Sequence, residues 1–190
     1  ILDATHLCDD AFWQAMDHRD LAAGATAPVH LLGGWYDFMI DQLLADCAGV
    51  LAAGRQPWLT VSASTHISGG HESDNPDETL AWMRGHLLGD TVRIRRKPVA
   101  IEISGLGEWR EFDAFPPALS QPVVRYLDSS GELTRDTVES TSAPSRYRYD
   151  PTDPTPNQGG AIFAFTGAGP VSQRTLELRP DVLVFTSARL

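Results

Sequence analysis

The stretch Pro28-Val29-His30-Leu31-Leu32-Gly33-Gly34-Trp35-Tyr36-Asp37 decides the fold of this chain. Residues 29–32 form a short, mostly apolar run between a proline and a pair of glycines, a pattern typical of a buried β-strand. The glycine pair predicts a sharp turn that brings the next three residues to the carboxyl end of this strand. Ligands and catalytic side chains collect at that end of open α/β sheets. Asp37 is therefore the first candidate for a catalytic residue.

The size and charge of the chain limit what it can be. Its 190 residues, 42% of them hydrophobic, suffice for one large domain or two small ones. A formal net charge of −10 argues against nucleic acid or an anionic membrane as a partner, since both repel an acidic protein. The chain begins at Ile1 without an initiator Met, so we expect an internal or C-terminal piece of a longer protein. No signal peptide is visible, but its absence then says little about localisation, which stays open.

Residues 1–90 alternate between predicted strands and helices. Apolar side chains recur at helical spacing in three segments: residues 10–20, 38–53 and 76–88. Asp9 or Asp10 is the expected cap of the first helix, and a second apolar run at 57–62 predicts a strand. Alternating strands and helices are typical of a parallel sheet with covering helices. Residues 1–90 are therefore predicted to be the last, incomplete part of an α/β domain.

From Thr91 the pattern changes to a period of two. Val99, Ile101 and Ile103 alternate with smaller or polar residues, as in a half-buried strand of an antiparallel sheet. Further strands are predicted between turn-rich segments, at residues 123–127, 145–149, 162–165, 174–178 and 182–186. Short strands at such intervals favour a jelly-roll β-sandwich over residues 91–190. The predicted fold class is thus α/β plus all-β.

Asp37 and His66 are the candidate catalytic pair, because each follows a predicted parallel strand. A carboxylate that orients an imidazole is part of a serine-hydrolase triad, and α/β-hydrolases place nucleophile, acid and His in that chain order. No Gly-x-Ser-x-Gly motif occurs, and Ser62, Ser64 and Ser68, expected on the same strand-end loop as His66, are poor substitutes. Two interpretations stay open: the nucleophile lies before Ile1, or the protein is no hydrolase.

Several stretches carry a family resemblance. Residues 28–38 resemble the acid-bearing Gly-Trp-Tyr-Asp segment of the cocaine esterase / X-Pro dipeptidyl-peptidase family (CocE/NonD hydrolases). The loop at residues 62–67 keeps the family's His, although it lacks the usual Gly-Pro-Trp before it. Three later stretches are similar to family motifs in the same order: Leu106 to Pro117, Tyr147 to Gly160, and Arg179 to Ser187.

The resemblance implies the C-terminal part of an α/β-hydrolase core, the acid and His loops, and a jelly roll. It assigns the triad acid to Asp37 and the triad His to His66, with the nucleophilic Ser before Ile1. It implies hydrolysis of ester or amide bonds, either acyl or X-Pro dipeptidyl. The expected partners are a small ester, amide or peptide substrate and the rest of the hydrolase domain; self-association is a further option, and no cofactor is expected.

Less specific residues have competing interpretations. Trp35 and Tyr36 either line a substrate pocket or pack beside the glycine pair. His71 is the second candidate for the triad His. The remaining histidines have no ligand spacing, so no metal site is predicted. The alternative to an enzyme is a non-catalytic jelly-roll binding module, since that fold also serves lectins and capsid proteins.

Three further residues or pairs have alternatives. Cys47 falls on the apolar face of a predicted helix and is expected to be a buried, inert thiol. Asp150 and Asp153 either bind Ca²⁺ or accept backbone N–H bonds in turns. Trp109 either stacks at the seam between the two domains or belongs to the sandwich core.

Overall fold

The computed structural model describes residues 11–67, 76–138 and 143–188. The helices of these residues are α1 (Ala11–Met16), a 3₁₀ helix (Arg19–Gly24), α2 (Ile40–Ala52), α3 (Pro76–Leu88) and α4 (Arg174–Glu177). The strands are β1 (His30–Tyr36), β2 (Trp58–Thr65), β3 (Val99–Ile103), β4 (Glu108–Phe112), β5 (Tyr126–Leu127) and β6 (Leu133–Thr134). The predicted helices at 38–53 and 76–88 are confirmed, while the caps Asp9 and Asp10 lie outside the described residues.

A four-stranded sheet in the order β1-β2-β3-β4 forms the centre of the fold. The first three strands run parallel and β4 runs antiparallel to β3. Side chains alternate between the two faces of a strand, and those of one face pack with α2 into the core. The buried members of this core are Cys47, Leu59, Val61, Val99 and Ile101. On the opposite face, Trp58 contacts Trp82 of α3.

The glycine pair does not form the turn predicted from the sequence. Gly33 and Gly34 lie inside β1, which continues to Tyr36. The absence of side chains serves close packing instead, because a Cβ at Gly34 would lie less than 3.0 Å from the carbonyl oxygen of Ser64. A Cβ at Gly33 would lie 2.8 Å from Cδ1 of Leu43 in α2. Glycines that permit close approach of two elements thus resemble turn glycines in sequence.

The pairing of β3 also differs from the prediction. The alternation of Val99, Ile101 and Ile103 indicated an antiparallel sheet, but β3 runs parallel to β2 on one side and antiparallel to β4 on the other. Its first three residues are all buried, because a central strand is covered on both faces. The β3–β4 pair therefore extends the sheet begun by β1, and the division of the chain near residue 90 stays a prediction.

The strands predicted for the last third of the chain are mostly not regular strands. Residues 123–127 form only β5, and residues 174–177 form helix α4 instead of a strand, although Leu176 and Leu178 have the spacing of a strand. Residues 145–149, 162–165 and 182–186 lie outside regular strands, apart from a single bridge between Glu132 and Thr186. The jelly roll thus stays a prediction.

Among the described residues, no helix combines the length and the apolar character needed to cross a bilayer.

Candidate active site

Asp37 lies at the junction of β1 and α2. Its backbone N–H donates to the carbonyl oxygen of Gly34 (3.0 Å), and its own carbonyl accepts from the N–H of Ile40 (3.1 Å). The carboxylate Oδ1 accepts the N–H of Met39 at 2.9 Å, so the carboxylate satisfies one of the open donors before the first turn of α2. Asp37 is only 6% exposed. The sequence predicted this position at the strand end, and the contacts fix the orientation of the carboxylate.

His66 follows the last residue of β2 and contacts Asp37 directly. Its Nδ1 lies 3.1 Å from each carboxylate oxygen of Asp37. The imidazole is 33% exposed, whereas the Asp37 side chain is 9% exposed. A carboxylate accepts hydrogen bonds, so this contact selects the tautomer with hydrogen on Nδ1 and leaves Nε2 as the basic nitrogen. The structure therefore brings together the two residues predicted to be catalytic.

A register shift between β1 and β2 makes this contact possible. Gly34 lies opposite Ser62, but Tyr36 lies opposite Thr65, so β2 contains one extra residue in this interval. Continuing the shifted register by one step places Asp37 beside His66, whereas the unshifted register would place Asp37 beside Thr65. Bulges of this kind commonly re-aim side chains next to active sites.

Hydrogen bonds of three side chains, those of Ser62, Ser64 and Glu102, hold the bulge in place. The hydroxyls of Ser62 and Ser64 are hydrogen-bonded at 2.6 Å, and Ser62 Oγ also donates to the carbonyl of Gly33 at 3.3 Å. The backbone N–H of Ala63 donates to Oε2 of Glu102 on β3 at 2.7 Å. Both serines lie within β2, not on the loop predicted from the sequence, and both are buried. Ser68 lies outside the described residues.

Sequence patterns missed Glu102 and the spacing role of Gly34. Both roles depend on the register between two strands, which the pattern of a single strand does not contain. The available signal was Glu102 itself, a carboxylate within the apolar alternation of β3.

Two aromatic rings flank the imidazole of His66. Phe38 lies 4.7 Å from it and Phe163 lies 5.5 Å from it, measured between ring centroids. The two phenyl rings also contact each other edge to face at 5.6 Å. Phe163 thus brings the C-terminal third of the chain to the Asp37–His66 pair, a contact that the sequence did not predict.

The other predicted site residues have different surroundings. Trp35 donates its indole N–H to the carbonyl of Glu102 at 3.2 Å and packs against Phe115. The Tyr36 hydroxyl lies 2.9 Å from Ser104 Oγ. Their role in a substrate pocket stays a prediction, and His71 lies outside the described residues.

A second histidine is buried in a polar cluster near the amino end of the sheet. His30 Nε2 lies 2.9 Å from Thr60 Oγ1, and Thr60 also bonds Arg95 at 2.8 Å. Arg95 pairs with Glu78 of α3. Burial, followed by the charge of Arg95, lowers the pKa of His30 from 6.5 to about 4. His30 is therefore neutral at pH 7.

All five donors of Arg95 are used within the protein. Nε donates to the carbonyl of Lys97, and the two terminal nitrogens donate to Thr60, Glu78 and the carbonyls of Leu59 and Pro98. Burial lowers the pKa of Arg95 to about 10, so it stays charged at neutral pH. This arginine joins the segment before β3 to β2 and has no donor left for a ligand.

The remaining predictions about single residues have structural outcomes. Cys47 is a buried free thiol whose pKa is raised by burial, as expected. Asp150 accepts the backbone N–H of Thr152 at 2.9 Å, which confirms the turn alternative for this residue, and Asp153 pairs with Arg179. Trp109 is 43% exposed on β4. In the described part of the chain, no cluster of three or more His, Cys, Asp or Glu residues is arranged to hold a metal ion.

Comparisons with solved structures identify proteins of similar fold. An aminopeptidase from a marine sediment Thaumarchaeota archaeon matches 93% of this chain and 33% of its own, with 21% identity and a TM-score of 0.69. An alpha-amino acid ester hydrolase matches 95% of this chain and 35% of its own, with 19% identity and a TM-score of 0.68. A CocE/NonD family hydrolase from Staphylococcus aureus matches 69% of this chain and 24% of its own, with 18% identity and a TM-score of 0.55.

The fold resembles the C-terminal parts of these hydrolases. The family resemblance predicted from the sequence motifs is thereby confirmed at the level of the fold. The chain spans only about a third or less of the length of these three structures, between 24% and 35%. No known family profile and no curated protein sequence matches the chain.

Proposed function

We propose that this chain is the C-terminal part of a serine hydrolase that cleaves ester or amide bonds. Asp37 and His66 serve as acid and base of its triad, and the nucleophilic Ser belongs to the part of the protein that precedes Ile1. The observation that carries the proposal is the hydrogen-bonded contact between a buried carboxylate and a partly exposed imidazole at the ends of adjacent parallel strands. Triads of α/β-hydrolases have this arrangement.

The chemistry follows from the tautomer that Asp37 selects. His66 Nε2 takes the hydroxyl proton while the serine oxygen bonds to the substrate carbonyl carbon, forming a tetrahedral intermediate. The imidazolium then gives this proton to the leaving alcohol or amine as the bond to the carbonyl carbon breaks, leaving an acyl-enzyme. Water repeats both steps and releases the acid. Asp37 stabilises the imidazolium while it exists.

The substrate class proposed is an acyl ester, an acyl amide or a dipeptide ending in proline. Two proteins of similar fold support this class by their names: one is an aminopeptidase and the other is an alpha-amino acid ester hydrolase. Trp35 and Tyr36 are the proposed pocket residues. Residues 91–190 are proposed to belong to a jelly roll, of which the β5–β6 hairpin and the Glu132–Thr186 bridge are parts.

Asp37→Asn tests the proposal in the full-length protein that contains this chain. Asparagine keeps the shape of the side chain but favours the wrong His66 tautomer, so turnover of a p-nitrophenyl ester should fall about 10⁴-fold, as in other triads. Asp41→Asn makes the same change at an exposed position of α2 and should leave turnover unchanged. A fluorophosphonate should label a serine of the full-length protein and should not label residues 1–190 alone.

Two results would contradict the proposal in different ways. Near-normal turnover of Asp37→Asn would remove Asp37 from the site. An absence of both esterase activity and fluorophosphonate labelling in the full-length protein would favour the non-catalytic binding module.

A further inference from the structure

A cleft in the C-terminal third of the chain lies beside the β5–β6 hairpin. Residues 186–188 run along β6: Thr186 accepts the N–H of Leu133 at 3.0 Å and donates its own N–H to Gly131 at 2.9 Å. The hairpin and this segment line a cavity of about 850 Å³. Ligand sites for small molecules have volumes of about 300–1,000 Å³. The cavity is therefore large enough for more than a bare ion.

Two arginines in this cleft stand opposite each other. Tyr126 pairs with Thr134 and Leu127 pairs with Leu133 in the antiparallel register. The same register, continued by one residue, places Arg125 opposite Arg135, and both residues line the cavity. Cross-strand neighbours of like charge destabilise a hairpin. An anion bound between the two guanidinium groups would replace their mutual repulsion with attraction of each group to the anion.

The protein itself supplies no such anion in the part that the structure describes. None of the ion pairs and hydrogen bonds among residues 11–67, 76–138 and 143–188 involves the guanidinium group of Arg125 or Arg135. Glu132 also lines the cavity, but among the described residues no ion pair joins its carboxylate to either arginine. The cationic pair is unusual in a chain with a formal net charge of −10.

We propose that this cleft binds a small molecule through an oxyanionic group, a phosphate or a pair of carboxylates, held between Arg125 and Arg135. Arginine guanidinium groups bind both kinds of group through paired N–H donors. Leu133 and Ala188 also line the cavity and offer apolar contact to the rest of the ligand. This site does not depend on the activity proposed for Asp37 and His66.

Calorimetric titration of the full-length protein with inorganic phosphate, and separately with succinate, tests the site. Both titrations are made at constant ionic strength with chloride as the reference anion, since screening alone changes surface electrostatics. We expect saturable binding of at least one of the two anions, weakened at least tenfold in Arg125→Gln and in Arg135→Gln. Arg146→Gln, which removes the same charge at an exposed position, should bind like the original protein.

Thermal unfolding gives a second readout that does not require tight binding. In phosphate-free chloride buffer, Arg135→Gln should raise the unfolding midpoint, because it removes the cross-strand repulsion. The anion that binds should raise the midpoint of the original protein and of Arg146→Gln but not that of Arg135→Gln. Preference for one of the two anions would support the site and show whether it binds a phosphate or a pair of carboxylates.

Two results would overturn the proposal. One is the absence of binding and of stabilisation by either anion beyond the effect of chloride. The other is an equal loss of binding in Arg146→Gln and Arg135→Gln, which would indicate attraction to net charge instead of a site.

Discussion

His30 and His66 show how position gives the same side chain two different chemistries. His66 is one-third exposed at the carboxyl end of β2, beside the buried carboxylate of Asp37. His30 begins β1 at the other end of the sheet, with its side chain 5% exposed between Thr60, Glu78 and Arg95. The imidazole of His66 is accessible from solvent, whereas His30 is buried and held neutral. Only the first therefore belongs to a catalytic proposal.

The neutral state of His30 makes the fold sensitive to acid. The pKa of His30 is about 4 in the folded protein against 6.5 for the free side chain, so the unfolded state binds more protons between these values. Stability therefore falls as pH decreases from 6.5 towards 4, by at most about 3 kcal/mol.

His30→Gln removes this titration but keeps a donor for Thr60. Urea unfolding at pH 7.5 and at pH 5 should show a smaller loss of stability in His30→Gln than in the original protein. His18→Gln, a change at an exposed histidine before the 3₁₀ helix, leaves the buried cluster intact and is the control. Equal pH dependence of His30→Gln and the original protein would contradict this assignment.

Among the secondary-structure elements, the bulged end of β2 controls the candidate site. The extra residue in β2 places His66 opposite Asp37, and the carbonyl oxygen of Ser64 then occupies the space of a side chain at position 34. Gly34 and the bulge are thus two parts of one packing arrangement. Glu102 completes it from β3 by accepting the N–H of Ala63.

Gly34→Ala should separate β1 from the bulge, because the added methyl group meets backbone atoms that cannot move independently. We expect a loss of stability of about 1–3 kcal/mol, as for other overpacked sites. We also expect at least tenfold lower turnover in the protein that remains folded, because Asp37 and His66 lose their alignment.

The adjacent glycine supplies the control for this change. At Gly33 the added methyl group meets only side-chain ends, those of Leu43 and Ile40, and no backbone atom, so Gly33→Ala should retain most of its turnover. Near-ultraviolet circular dichroism reports how much protein is folded. Together with kcat and KM, it distinguishes a loss of alignment between Asp37 and His66 from a loss of folded protein. Equal turnover in the two variants would argue against the positioning role of Gly34.

A second element-scale feature is the attachment of the proline-rich loop at residues 150–156. Arg179 contacts both oxygens of Asp181, at 2.8 and 2.9 Å, and both oxygens of Asp153, at 3.1 and 3.3 Å. Thr155 donates its hydroxyl to Asp181 at 2.6 Å. Hydrogen bonds from Arg179, and then from Thr155, lower the pKa of the Asp181 carboxyl. One arginine thus joins the loop to the segment after α4.

Arg179→Gln should release this loop. Limited proteolysis should cut within residues 150–156 faster in Arg179→Gln than in the original protein, because a loop without its attachment opens more often. Arg148→Gln, a change of the same kind at an exposed position near this loop, should be cut at the original rate. Unchanged cleavage in Arg179→Gln would show that the prolines alone hold the loop.

The parts that were predictable from sequence are those that local patterns specify. Helices α2 and α3 and the existence of strands β1 and β2 follow from periodicity and from flanking glycine and proline, although β1 continues through the glycine pair to Tyr36. Asp37 and His66 could therefore be placed at one edge of the sheet. Some features depend on two segments that are far apart in sequence, and these could not be predicted from local patterns. They are the bulge, the parallel pairing of β3 and the contact of Phe163 with His66. In a segment as short as 174–178, two leucines at alternating positions are too few to establish a strand.

On the scale of the whole molecule, the part of the chain that the structure describes exposes many large apolar side chains. The order β1-β2-β3-β4 leaves the outer edge of β1 without a partner strand among the described residues. Large apolar side chains are exposed in every third of the chain, among them Phe12, Met16, Phe38, Leu87, Val124, Phe163 and Phe165. Unpaired strand edges and extended apolar surface both promote association. The chain covers 24% to 35% of the three similar solved structures, and we propose that a further part of this protein, corresponding to the rest of their length, covers this surface.

Residues 1–190 prepared alone should therefore self-associate. Light scattering after size-exclusion chromatography should show oligomers or aggregates whose fraction increases with concentration, and the dye ANS should bind strongly, because it reports exposed apolar surface. The full-length protein should elute as a defined species with little ANS binding, since its remaining domain parts pair with β1 and cover the apolar side chains. A stable monomer of residues 1–190 without ANS binding would show that the chain covers its own apolar surface, and the pairing of β1 with a preceding strand would then lose its physical basis.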